Sequence, residues 1–155
     1  MSHVACVSIE VKDLDALGEA AKRLGLELVR GQKEYRWYGQ SVGDFPIPEG
    51  FTAEDLGKCE NAIRIQGTKG GPSDPAGTDP YEIGIVKRRD GKPGWSLIWD
   101  FFAGGYGLLS KVGKDCVNLK REYAAVVAAK QARLNRFQVH ESRQADGRIV
   151  LTLNK

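Results

Sequence analysis

The stretch from Asp115 to Leu153, DCVNLKREYAAVVAAKQARLNRFQVHESRQADGRIVLTL, decides how this chain is read. Cys116, Leu119, Tyr123, Val126 and Val127 recur at three-to-four spacing, which predicts a helix over 115–131 with one apolar stripe. Arg136 to His140 and Arg148 to Leu153 follow as two strands. Asp146-Gly147 lies between them and signals a tight turn, so the chain is expected to end in a hairpin.

Working outward, Tyr81 to Arg88 (YEIGIVKR) and Trp95 to Phe102 (WSLIWDFF) read as strands joined by the turn Asp90-Gly91-Lys92-Pro93-Gly94. They are expected to form a long hairpin near the centre of a sheet. Trp95, Leu97, Trp99 and Phe101 share one face by even spacing and read as core. Ser96, Ile98, Asp100 and Phe102 make the other face mixed. Ala103 to Gly107 (AGGYG) ends this strand and precedes a short helix.

Nearer the N-terminus, Val4 to Val11 reads as a strand. Asp13 is placed to cap a helix over Leu14–Leu24 that Gly25 stops. Glu27–Arg30 and Glu34–Tyr38 read as a hairpin turning at Gly31-Gln32. Gly39 to Gly57 is mostly loop and contains Gly43-Asp44, with Thr52 as N-cap of a helical turn over Ala53–Leu56. Cys59 to Gln66 is a strand, and Gly67 to Asp79 a Gly/Pro-rich surface loop. Runs of strands with few helices predict an α+β fold: a mainly antiparallel sheet with two principal helices packed on one face. At 155 residues a single domain over 1–155 is expected, with the loop at about 67–79 on its surface.

Composition bounds the function classes. No run of 18 or more apolar residues occurs, so no membrane span is expected. Cys6, Cys59 and Cys116 are far apart and form no CxxC pair, which argues against a zinc site or disulfide framework. A cytoplasmic or equivalent reducing compartment, such as a plastid stroma, is expected. Cys6 and Cys116 sit in apolar patterns and read as buried, inert thiols. The net charge of +3 is uneven: residues 111–155 carry ten basic and four acidic groups, an excess of six. That excess points either to an anionic partner or to cations balanced by acidic neighbours in the fold.

Few constellations suggest chemistry. Gly67-Thr68-Lys69-Gly70-Gly71 offers amides and the Lys69 ammonium to an anion, but lacks the spacing of a phosphate-binding loop. There are two histidines, His3 and His140, and Cys6 stands three residues from His3, an odd spacing that points the two to opposite faces of a strand, so no metal centre is expected. Asp13/Asp15 and Glu54/Asp55 read as helix-start residues. Arg36 and Trp37, with Arg88 at a basic strand end, set cations beside aromatic rings, the pattern of a nucleotide or single-strand platform. A packed aromatic cluster with charged strand ends is the plainer reading, and nucleic acid is not the expected partner. Lys114 and Arg121 on the basic helix complete the ligand-binding candidates. No catalytic residue, metal or cofactor is assigned.

The order of motifs resembles the hypothetical chloroplast frame thirty-five family of plastids, cyanobacteria, other bacteria and phages. The matching residues are Met1-Ser2-His3, Asp13-Leu14-Asp15-Ala16-Leu17, Leu24-Gly25-Leu26, Tyr81-Glu82-Ile83-Gly84-Ile85 and Trp99. At the C-terminal end they are Tyr123-Ala124-Ala125, Arg136-Phe137-Gln138-Val139 and Asp146-Gly147-Arg148-Ile149-Val150-Leu151. Residues 40–80 are longer than in typical members. The resemblance implies a small soluble α+β domain and carries over no site residue, since the family has no established chemistry. The expected function is a non-enzymatic binding or adaptor module whose partner is another protein or a second copy of the chain. The alternatives are a protein that binds a nucleotide or other small anion, and an enzyme of unrecognised type.

Overall fold

A computed structural model describes residues 2–41, 43, 45–71 and 79–155. Strands β1 (Val4–Cys6), β2 (Leu26–Arg30), β3 (Asn61–Ile65), β4 (Ile83–Lys87) and β5 (Trp95–Asp100) form one sheet in the order β1-β5-β4-β3-β2. Every neighbouring pair is antiparallel. The expected hairpin of β4 and β5 lies at its centre, from Ile83 opposite Trp99 to Lys87 opposite Trp95. The fold is α+β, as the sequence pattern predicts.

The helices are α1 (Leu14–Arg23), α2 (Leu108–Val112) and α3 (Val117–Leu134). Asp13 caps α1 by accepting the Ala16 N–H at 3.0 Å, so the helix starts where its sequence signal stands. Leu17 and Ala20 of α1 meet Leu119, Tyr123 and Val126 of α3 in one core. Ile63, Ile83, Ile85, Leu97 and Trp99 complete that core from the sheet. Each large side chain buried there contributes about 1.5–3 kcal/mol of transfer free energy. Both principal helices therefore cover the same face.

The stripe predicted for the long helix is only half of what α3 buries. Glu122, Ala125, Ala129 and Ala132 are buried as well, outside the main core. Against this second side pack β6 (Gln138–Arg143) and β7 (Ile149–Asn154), a separate two-stranded antiparallel sheet. The helix is thus sandwiched, and its alanines let the hairpin approach closely.

Three expectations need correction. The strand over Val4–Val11 ends at Cys6. Val7 still donates to the Leu97 carbonyl at 2.9 Å, but Ile9 donates back to Val7 at 2.9 Å, and Val11 rejoins the sheet opposite Trp95. Cys6, expected to be buried, is exposed, whereas Cys59 and Cys116 are buried. The hairpin over Glu27–Arg30 and Glu34–Tyr38 does not form. β2 pairs with β3 instead, and residues 34–38 cross the other face of the sheet. Burial explains the choice: Tyr35 and Trp37 join Val4, Leu56, Ala62, Val86 and Ile98 in a second core. Two buried aromatics outweigh a turn signal that lacks an Asn-Gly or Asp-Gly pair.

The face expected to be mixed is consequently closed. Ile98 and Asp100 are buried. Asp100 accepts the backbone N–H groups of His3 at 2.9 Å, Phe102 at 3.0 Å and Tyr38 at 3.1 Å. Gly84 on β4 and Gly57 are required by this packing, because a Cβ at either would collide with the ring of Tyr35 or Trp37 respectively. Thr52 begins the short turn Ala53–Asp55 as expected, its N–H donating to the Asp55 carboxylate at 2.8 Å. Ala103 to Gly107 makes a left-handed turn into α2, with Ala103 and Tyr106 at φ near 50°. Each of these two non-glycine residues costs about 1–2 kcal/mol there. Asp44 and residues 72–78 of the Gly/Pro-rich loop lie outside the described residues.

Candidate functional site

The six candidate ligand residues do not converge on one place. Arg36 is buried. One of its terminal nitrogens donates to the Lys69 carbonyl at 3.1 Å, and the other lies 3.8 Å from Asp79. It holds the two ends of the 67–79 loop to the second core. Arg36 and Lys69 are therefore brought together, but through a backbone carbonyl rather than as two cations facing an anion. Trp37 is packed over Gly57 inside the second core, so no open ring platform is formed by it. Arg88 is engaged by Glu10 at 3.3 Å and by Asp90. Lys114 precedes α3 and Arg121 lies on its second turn, remote from the other four in the sequence and on the helix side of the sheet. The nucleotide platform drawn from Arg36, Trp37 and Arg88 is not assembled.

Acidic neighbours balance part of the C-terminal charge. Lys120 pairs with Asp115 at 2.7 Å, Lys130 with Asp13 at 2.6 Å and Arg148 with Asp146 at 2.7 Å. Lys111, Lys114, Arg121, Arg133, Arg136 and Lys155 have no carboxylate within 4.0 Å among the described residues. Arg133 and Arg136 stand at the C-terminal end of α3, where a cation also favours the helix dipole.

The hairpin is held by an ionic cluster around the buried Glu122 carboxylate. Arg143 on β6 gives two hydrogen bonds to the Glu122 carboxylate of α3, at 2.7 and 2.6 Å. Arg23 of α1 reaches Glu122 at 3.4 Å and bridges Glu141 of β6 at 2.8 and 3.1 Å. Hydrogen bonds from Arg143 and Arg23 hold the Glu122 carboxyl below the usual carboxylate range. β6 is thereby tied to α1, while β7 pairs with β6 alone.

The register Gln138 opposite Asn154 to Arg143 opposite Ile149 assigns the faces. Val139, Leu153, Leu151 and Ile149 point toward α3, yet none is fully buried, and Leu153 is 44% exposed. Val150 on the outer face is 43% exposed, and Leu134 at the end of α3 is 71% exposed. Phe137 is half-buried, with the Lys155 ammonium 5.1 Å from its ring centre. An apolar row with basic groups at its margin therefore remains open on this layer. The sequence marked the hairpin but not this surface. The available signal was the uncharged run Ile149–Asn154 beside a helix whose second side is alanine.

No family model, curated protein or solved structure matches the chain. No helix among the described residues is long and apolar enough to cross a membrane.

Proposed function

We propose that this protein is a non-enzymatic binding or adaptor module that receives a protein partner on its C-terminal hairpin layer. One observation carries the reading. The main sheet is covered by helices on one face and by Tyr35, Trp37, Leu56 and Cys59 on the other, whereas the apolar row of the hairpin is left partly exposed. Open apolar surface rimmed by polar groups is the usual mark of an interaction site. The family resemblance supports the same region, since its best-matched residues, 123–125, 136–139 and 146–151, lie on α3 and the hairpin. Free cysteines support a reducing compartment such as the cytoplasm or a plastid stroma.

The test is site-specific photo-crosslinking in cells. A photoreactive residue at Leu153 or Val150 is expected to capture protein, while the same residue at exposed Glu54 captures none. Equal yields from all three positions, or none from 150 and 153, would overturn the reading.

The cations without carboxylate partners favour a second reading, a small anionic ligand held near Lys114 and Arg121. Titrating common nucleotides and single-stranded nucleic acid at low salt tests it, because such binding weakens as salt rises. For nucleic acid no binding is expected.

A further inference from the structure

We infer that β7 pairs with β7 of a second copy of this chain, joining the two hairpins into one four-stranded antiparallel sheet. The inference rests on the binding reading and names its partner.

Gln144 donates to the carbonyl of Arg148, directly opposite it, at 2.8 Å. Opposed residues of an antiparallel pair alternate between exchanging hydrogen bonds and pointing them outward. In the observed register, Val150, Thr152 and Asn154 therefore bond to β6. Ile149, Leu151 and Leu153 direct their N–H and C=O groups to the open edge. No bond to those groups is made by any other described residue. The edge is six residues long and carries no charge. It thus lacks the charges, prolines or brevity with which proteins blunt such edges. The main sheet does blunt its own edges: β2 carries Glu27 and Arg30, and β1 is three residues long.

Symmetry then restricts the register, and the fullest overlap of Ile149, Leu151 and Leu153 selects one. A two-fold axis perpendicular to the sheet must match residues on the same face and with the same outward phase. Centring it on Leu151 sets Leu151 against Leu151 of the second copy and Ile149 against Leu153 of the second copy. All three are bonded pairs, and all bring apolar side chains together on the face toward α3. Val150 faces Thr152 of the second copy on the outer face. Beyond these pairs, Asn154 of one copy comes opposite Arg148 of the other and Lys155 opposite Gly147, so no like charges are directly opposed. The pairing would cover the half-exposed Ile149, Leu151 and Leu153, which is what an isologous interface requires.

Electrostatics distinguishes this partner from an anionic one. Residues 111–155 carry an excess of six positive charges, so two copies repel. Added salt screens that repulsion and should tighten self-pairing, whereas it would loosen an anionic complex.

The experiment uses the full chain with Cys6→Ser to remove the exposed thiol. Sedimentation should give a concentration-dependent mass twice the 17.0 kDa of the chain, rising with salt. Val150→Cys and Thr152→Cys chains, mixed and oxidised, should cross-link at least about tenfold more than either alone, since only the mixed pair is directly opposed. Leu153→Pro should give a monomer with its hairpin intact, because that N–H points outward. The cross-link pattern needs no disruptive variant and stands if Leu153→Pro misfolds. A mass of 17.0 kDa at every concentration, or a dimer without the mixed cross-link, overturns the pairing. A monomer that still captures another protein from positions 150 and 153 would overturn the second copy alone. Failure of both experiments would remove the binding reading too.

Discussion

Glu122 on α3 receives both guanidinium hydrogen bonds of Arg143 on β6, at 2.7 and 2.6 Å, and it is buried while its partner is half-exposed. The hairpin is therefore docked by an ionic contact that has one dry end. Glu122→Gln should lower stability by about 2 kcal/mol, less than for a fully buried pair because water screens Arg143. The folded pKa of Glu122 is depressed. Its contribution is fully present above the unfolded value of about 4.3 and is lost as pH falls through the lower folded value. Urea unfolding from pH 6 down to pH 3 should show this loss in the parent and a flatter profile in Glu122→Gln. Identical profiles would mean that the pair does not couple to folding.

Tyr123 links α3 to the start of α1. Its hydroxyl accepts the N–H groups of Lys12 at 3.1 Å and Asp13 at 3.3 Å, while its ring lies in the main core. Tyr123→Phe keeps the ring and leaves those donors unpaired, for an expected loss of about 1–2 kcal/mol. Tyr123→Asp puts an unpartnered charge in the core and should cost on the order of 3–5 kcal/mol. Thermal melts of the two variants should fall in that order. An unchanged melting temperature for Tyr123→Asp would show the ring is not in the core.

Gly84 sits under the Tyr35 ring at the centre of the sheet. Gly84→Ala should destabilise by about 2–3 kcal/mol through overpacking, because the ring is fully buried and cannot move aside. Combined with Tyr35→Leu, which removes the ring, the glycine substitution should become nearly neutral. A double-mutant cycle without that coupling would contradict the packing.

Glu82, buried on the opposite side of the sheet from the helices, ties the loop stem to the crossing segment. Its Oε1 accepts the N–H of Arg36 at 2.7 Å and of Gly71 at 2.9 Å, and its Oε2 accepts the Gln32 amide at 3.0 Å. Glu82→Ala strands these donors beside the buried Arg36 and should cost about 3 kcal/mol or more. Hydrogen exchange should then rise at Arg36 and Gly71 before it rises at β4. Unchanged protection at both amides would rule the clamp out.

Cys6 is exposed, whereas burial raises the Cys59 and Cys116 thiols to about 12. A colorimetric thiol reagent should titrate one thiol in the native protein and three in denaturant. Cys59 and Cys116 favour the folded state fully below the unfolded value of about 8.5 and lose that contribution as pH rises toward 12. Stability should therefore decline on the alkaline side, and less so in Cys116→Ser. Equal native labelling of all three thiols would contradict the burial.

The sequence alone determined those elements whose signals are local. Alternation and the Asp90–Gly94 turn marked the central hairpin. Asp13 and Gly25 bounded α1, and Asp146-Gly147 marked the last turn. Each signal acts over fewer than ten residues, so neighbouring residues sufficed. What the tertiary structure decided depends on contacts distant along the chain. Residues 34–38 could have returned as a strand beside β2. They cross the sheet because Tyr35 and Trp37 gain more by burial over Gly84 and Gly57 than from a two-strand ladder in water. That choice placed Arg36 in a loop clamp rather than a ligand site. Likewise α3 carries only one clear apolar stripe in its sequence, although both of its sides are covered. Its second side is built of alanines, whose small apolar surface carries little pattern, and of Glu122, which reads as a surface residue until Arg143 and Arg23 arrive from β6 and α1.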